Sequence, residues 1–185
     1  SSSGEKEKAF EVGISQYVEH PSLDEATKGF KKAIEDAGLE VKFDEQNAQG
    51  DATNNQTIAT NFAGDGVDLI FANATPSALS AANATKDIPV VFTSVTDPVG
   101  AELVKDFETP EKNVTGTTDS HPEAIPNTVK LMADMGYKKI GTVYNSGEQN
   151  SEVQVKKAEE EAKKLGLTLN KVSVATSAEV KQAAE

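Results

Sequence analysis

Apolar residues along this chain recur at two spacings that take turns. Short, β-prone runs at Glu11–Gln16 (EVGISQ), Leu39–Phe43, Asp68–Ala72 (DLIFA), Pro89–Ser94 (PVVFTS) and Val114–Thr117 read as strands. Between them the apolar positions fall every three or four residues, as on one face of a helix. Leu23, Ala26, Phe30, Ala33, Ile34 and Ala37 share such a face. Ser22 is expected to cap that helix, with Glu25 completing a capping box, and Gly38 to close it. Asp51 is expected to cap a second helix through Phe62, ending at Gly64-Asp65-Gly66. Thr75 is expected to cap a third, with Pro76 at its first position, reaching about Ala84.

The second half repeats this grammar. A helix at Ile125–Met135 closes on Gly136, and the strand Lys139–Tyr144 follows. A charged helix at Ser151–Leu165 then closes on Gly166 and leads into the strand Leu167–Val174. A last helix starts with Ser177 as its cap and runs to Glu185 without a stop signal.

Strands alternating with helices predict βαβ units and parallel sheets. Runs such as LIFA and PVVF are apolar on both faces, as strands between two helix layers must be. The rhythm breaks at Asp97–His121. The resulting expectation is α/β: a polar, disordered tether at residues 1–8, a nearly complete lobe at 9–119 with about five strands, and a partial second lobe at 120–185. The first crossing between lobes is placed at Thr117–Pro122.

In an open parallel sheet, ligands bind beyond the carboxyl ends of the strands, where helix N-termini point. Four segments occupy that place: Ser15–His20 with Gln16 and Tyr17, Asn73–Ser77 with Thr75 and Ser77, Thr93–Pro98 with Ser94, Thr96 and Asp97, and Asn145–Ser151 with Ser146, Glu148 and Asn150. All are rich in hydroxyl and amide groups. The same residue types are ordinary helix caps, so capping and ligand contact both stand for Thr75 and Ser151. Tyr17 is the local candidate for an apolar wall.

Composition narrows the chemistry. The 185 residues carry a net charge of −12, which disfavours nucleic acid and anionic membrane surfaces as partners. With no cysteine there is neither a thiolate nucleophile nor a Cys-type zinc site. His20 and His121 lie far apart in sequence and read as surface or hinge residues. There is no G-x-S-x-G elbow, no P-loop and no G-x-G-x-x-G motif, so no catalytic residue, metal or cofactor is assigned. All 18 basic residues are lysines. A ligand carboxylate therefore has no guanidinium to meet in this chain, and helix N-termini with the hydroxyls of Thr75-Pro76-Ser77 and Ser94-Val95-Thr96 must serve instead. A ligand ammonium has Asp97, Glu148 or the asparagine side chains.

Four stretches together carry a resemblance. These are GISQYVEHPSLDEATKGFKKAIEDAG from Gly13, ANATPSA at 72–78, FTSVTDPVGA at 92–101 and YNSGEQNS at 144–151. They resemble the bacterial ABC-transporter substrate-binding proteins, in particular the tryptophan- and tyrosine-type binding lipoproteins, from about residue 9 to the end. The resemblance implies a type I periplasmic-binding-protein fold of two Rossmann-like lobes, the second truncated here. It implies an amino-acid-like ligand, often aromatic, in the cleft between lobes. It also implies an ABC permease as partner, an extracytoplasmic location and a lipid anchor ahead of the mature start. By the same resemblance the site maps onto Gln16, Thr75, Ser94, Thr96 and Asp97 in the first lobe, and Asn145, Glu148, Asn150 and Ser151 in the second. The competing readings are a sugar- or nucleoside-binding or sensor protein of this fold and a racemase-like enzyme. A regulator of that kind carries a DNA-binding head and a racemase-like protein two cysteines, and the sequence has neither.

Overall fold

Strands that are apolar on both faces have to lie inside a layered structure, and they do. In the computed structural model, which describes residues 9–110 and 112–185, the chain divides into one unit ending at Asp119 and a second from Ser120 to Glu185. The tether expected at residues 1–8 lies outside the described residues. The first unit holds β1 (Phe10–Gln16), β2 (Val41–Asn47), β3 (Leu69–Asn73), β4 (Val90–Val95) and β5 (Val114–Thr118). They form one sheet in the order β2-β1-β3-β4-β5, and every neighbouring pair is parallel, as the alternation predicts. The connections are α1 (Pro21–Asp36), α2 (Ala52–Asp65), α3 (Thr75–Ala84) and the irregular stretch before β5.

Each face of the sheet has its own core. On one, Val12, Ile14 and Phe71 meet Phe30 of α1 and Phe43 of β2. The Phe30 and Phe71 rings stack with centroids 3.9 Å apart. On the other, Phe62 of α2 joins Ile70, Ala72, Val90, Phe92 and Val114 under Ala78 and Ala81 of α3. Phe62 lies against the backbone of β1 because residue 13 is glycine: a Cβ there would stand 2.7 Å from the ring.

Several boundaries move from the sequence expectation, each for a local reason. β2 runs to Asn47, not Phe43. Its polar end is an edge strand whose backbone pairs with Gly13–Gln16 while its side chains face water. The cap of α1 is His20, not Ser22: Pro21 takes the first helical turn, and His20 Nδ1 accepts the Ser22 N–H at 3.2 Å. Its other end is as expected. Gly38 has φ +70°, its N–H reaches the Glu35 carbonyl, and the Leu39 N–H reaches that of Ile34. Asp51 caps α2, accepting the Asn54 N–H at 2.7 Å, but the helix runs on to Asp65. Thr75 is not a cap. It is the first helical residue of α3, and the cap position is Ala74, with no side-chain bond.

The second unit holds α4 (Ala124–Asp134), β6 (Lys139–Tyr144), α5 (Gln149–Lys164), β7 (Thr168–Ser173), a 3-10 turn at Ser177–Glu179 and α6 (Val180–Ala184). β6 and β7 form a two-stranded parallel sheet. Val129, Ala162 and Leu167 make its core with Ile125, Ala133, Ile140, Ala158 and Leu169. Ser151 lies within α5 and does not cap it; Glu148 holds the cap position. The last helical segment is capped by Thr176, not Ser177. The residue three beyond Thr176 is Glu179, whose carboxylate returns to the Thr176 N–H, whereas three beyond Ser177 stands Val180.

Candidate functional site

Every strand of a parallel sheet ends on the same edge, so β1, β3 and β4 deliver Gln16, Asn73 and Val95 together. That edge carries backbone strain. Ala74 has φ +91° and ψ 159°, a region open essentially to glycine. Ser94 has φ +57°. It lies in a bulge, because Phe92 pairs with Gly116 and Val95 with Thr118, so β4 spends one residue more than β5 over that interval. Each such residue costs about 1–3 kcal/mol and persists only where surrounding packing enforces it. No sequence signal marks either position, because neither is glycine.

On the α2–α3 side of the edge, Thr75 is 2% exposed and its Oγ1 has no hydrogen-bond partner among the described residues. It opens α3, whose first-turn N–H groups have no intrahelical acceptor and carry the positive end of the helix dipole. Ser77 is fully buried, and its hydroxyl donates to Asn55 Oδ1 at 2.9 Å. Asn55 Nδ2 donates to the Pro76 carbonyl at 2.8 Å and to Ser80 Oγ at 2.9 Å. Ser77 thus ties α3 to α2, and Asn55, unassigned from sequence, fixes the first turn of α3. Ser15 Oγ, fully buried at the end of β1, also has no partner among the described residues.

On the α1 side, Gln16 is fully engaged. Its Nε2 donates to the Val18 carbonyl at 2.9 Å and to Asp24 Oδ1 at 2.7 Å, and its Oε1 accepts the Thr27 hydroxyl at 2.8 Å. Asn73, in register with Gln16, donates from Nδ2 to the Leu23 carbonyl at 2.8 Å and to Thr27 Oγ1 at 2.9 Å. Its Oδ1 is buried and has no partner among the described residues. Tyr17 is half-buried, and its hydroxyl donates to the Gly50 carbonyl at 2.9 Å. The sequence reading gave no role to Thr27; it placed Asn73 in a candidate segment and left asparagine side chains open to a ligand ammonium, without singling Asn73 out. The available signal was an asparagine ending a strand otherwise apolar on both faces.

After β4, Thr96 and Asp97 are half-buried. Asp97 Oδ1 accepts the Gly100 N–H at 2.9 Å and so fixes the following turn, leaving Oδ2 as its other acceptor. The second unit gathers its candidates in one loop at the end of β6. Asn145 Oδ1 accepts the Gly147 N–H at 2.9 Å, and the Ser146 hydroxyl bonds that of Ser173 at 2.6 Å. The two Glu148 oxygens accept the amides of Asn145 and Asn150 at 3.4 and 3.3 Å. The Oδ1 of Asn150 is buried without a partner among the described residues, and Ser151 is half-buried in the first turn of α5. His20 and His121 each accept a backbone N–H two residues on and stand in separate exposed loops.

This edge can hold a small polar molecule by fixed dipoles, with donors at α3 and acceptors at Asn73 and Asp97. Comparison with known proteins shows the family. The family model described as ABC transporter substrate binding protein matches residues 11–185. A curated tyrosine-binding protein of Clostridioides difficile is 49% identical over 178 residues, covering 93% of this chain and 51% of that protein. A solved ABC domain from Streptococcus pneumoniae in complex with L-Trp superposes with a TM-score of 0.86 at 37% identity, over 95% of this chain and 61% of that one. A conserved domain protein of Vibrio cholerae gives 0.89 at 40% identity over the same shares. The chain thus spans about half the length of the curated relative it matches.

Proposed function

The chain belongs to the ABC transporter substrate-binding protein family, and on that premise we propose that it is the solute-binding part of an extracytoplasmic importer component. Its ligand is a small amino acid, aromatic or otherwise apolar, taken at the carboxyl edge of its parallel sheet. The relatives named for tyrosine and solved with L-Trp support that ligand class. The observation that carries the site is Thr75, a buried hydroxyl without a partner among the described residues, at the head of α3 and directly after the strained Ala74.

In this reading the first-turn amides of α3 and the Thr75 hydroxyl take the ligand carboxylate, with Ser94 and Thr96 beside them. Anion binding at a helix N-terminus supplies what arginine supplies elsewhere. Asp97, through Oδ2, provides negative charge for the ammonium, and Tyr17 an apolar surface. Gln16, Ser77 and Ser146 act through the groups they hold in place. The site binds and releases its ligand unchanged, and the protein delivers it to an ABC permease from a lipid-anchored position; these last statements rest on the family alone.

The test is isothermal titration of the complete protein with L-tryptophan, L-tyrosine and L-leucine, alongside Thr75→Val. That change keeps the shape and removes the hydroxyl. A hydrogen bond to a charged carboxylate is worth about 1.5–3 kcal/mol, so affinity should fall about 10- to 150-fold while stability holds or rises. Unchanged affinity refutes the carboxylate site. A complete protein that ignores all three amino acids but takes a sugar or nucleoside refutes the ligand class.

A further inference from the structure

Asn73 is fully buried, and its side-chain amide is held in one orientation by a one-way series of hydrogen bonds. Its Nδ2 donates to Thr27 Oγ1 and to the Leu23 carbonyl. The Thr27 proton is committed to Gln16 Oε1, and Gln16 Nε2 donates in turn to Asp24 Oδ1 and to the Val18 carbonyl. The series ends on a carboxylate, which when ionised only accepts. Turning the Asn73 amide over would set its oxygen against the Leu23 carbonyl and against a hydroxyl oxygen whose proton is already used. Asn73 Oδ1 is therefore fixed as an acceptor on the side of the amide away from α1. It has no partner among the described residues. A buried acceptor without a donor destabilises the fold and calls for a reason.

The chain around it supplies one. Asn73 and Thr75 flank Ala74, whose φ of +91° makes the abrupt turn from β3 into α3. An acceptor and a set of donors therefore stand two residues apart along the chain, at the same edge of the sheet. The ammonium and carboxylate of an α-amino acid leave the same carbon and need such neighbours. We propose that Asn73 Oδ1 receives the ligand ammonium, and that the Asn73–Thr27–Gln16–Asp24 series makes this site choose α-amino acids over the same molecules lacking the amine. An uncharged acceptor suits the position, since a carboxylate there would oppose the incoming ligand carboxylate. The inference rests on the amino-acid reading above and adds to it a specificity-determining residue.

The experiment measures L-tryptophan and indole-3-propanoate, its counterpart without the amine, on the complete protein and on Asn73→Leu and Thr27→Val. Direct titration serves the first ligand and displacement the second. Asn73→Leu should weaken L-tryptophan about tenfold or more and change indole-3-propanoate less than about twofold. Thr27→Val, which removes one of the two bonds holding the amide, should weaken L-tryptophan selectively by a smaller factor. It also carries the test if Asn73→Leu does not fold. Equal losses for both ligands, or no loss for L-tryptophan, would assign Asn73 a structural role and overturn the proposal. If the unaltered protein binds neither L-tryptophan nor L-tyrosine, the amino-acid reading itself fails, and this inference with it.

Discussion

Replacing Asn55 by alanine tests whether α3 is held by its packing or by its polar tie to α2. The side chain makes three hydrogen bonds: to the Pro76 carbonyl, to Ser80 Oγ and from the Ser77 hydroxyl. Their losses are unequal. The Pro76 carbonyl retains its place in the helix ladder, and half-buried Ser80 can turn to water. Ser77 is fully buried and keeps a hydroxyl with nothing to receive its proton. That orphan costs about 1–3 kcal/mol, and the void left by the shortened side chain adds up to about 1 kcal/mol. The sum is about 1–4 kcal/mol. Urea denaturation of the complete protein should show it as a lower midpoint at unchanged slope. Hydrogen exchange at Val12, Ile14 and Ile70 would locate the loss in the first unit. Asn54→Ala is the control, because that neighbour is exposed and should shift stability by less than about 0.5 kcal/mol. Ligand affinity should fall in Asn55→Ala although Asn55 touches no ligand, since the first turn of α3 loses its anchor. If the two variants unfold within about 0.5 kcal/mol of each other, the tie carries no load and Ser77 finds another acceptor.

Three further outcomes follow from the same geometry. Gly13→Ala should cost about 1–3 kcal/mol, because the new Cβ meets the Phe62 ring, whereas Gly29→Ala on open helix surface should gain about 0.5–1 kcal/mol; equal effects in urea would contradict the packing at β1. Asp97→Asn keeps the acceptor for the Gly100 N–H but removes the charge, so stability should hold within about 0.5 kcal/mol while calorimetry records an affinity loss of about tenfold or more, and unchanged affinity would take the ammonium away from Asp97. Glu179 is held below its ordinary pKa of 4.5 by the Thr176 and Ala175 N–H groups. Its contribution is thus complete above 4.5 and is lost as pH falls through the lowered native value; carbon-13 titration should place the carboxyl midpoint below 4.5 with residues 177–184 losing amide protection alongside, and a midpoint at 4.5 or higher would refute the capping box.

Much of the first unit was legible before any coordinates. The 3.6-residue spacing that puts Phe30 and Ile34 inward, the doubly apolar runs of β3 and β4, and the glycines that close the helices are local properties, and they led to a parallel α/β sheet. Topology then put Gln16, Thr75, Ser94 and Asp97 on one edge, since the strands of a parallel sheet share a direction. The sequence could not say what those side chains do there. Thr75 and Ser151 look like caps because their chemistry is that of caps, and only the backbone path moved the cap positions to Ala74 and Glu148. Gln16 and Ser77 look like ligand contacts, yet their polar atoms are taken up by Thr27, Asp24 and Asn55, residues 8 to 22 positions away. The strain at Ala74 and Ser94 left no trace in residue type, because the turn from β3 into α3 imposes the first and the bulge of β4 against β5 the second. Composition and periodicity set which elements form. Which polar atoms are left without a partner depends on where each hydrogen bond finds its other half, and that is decided by residues brought together across the fold.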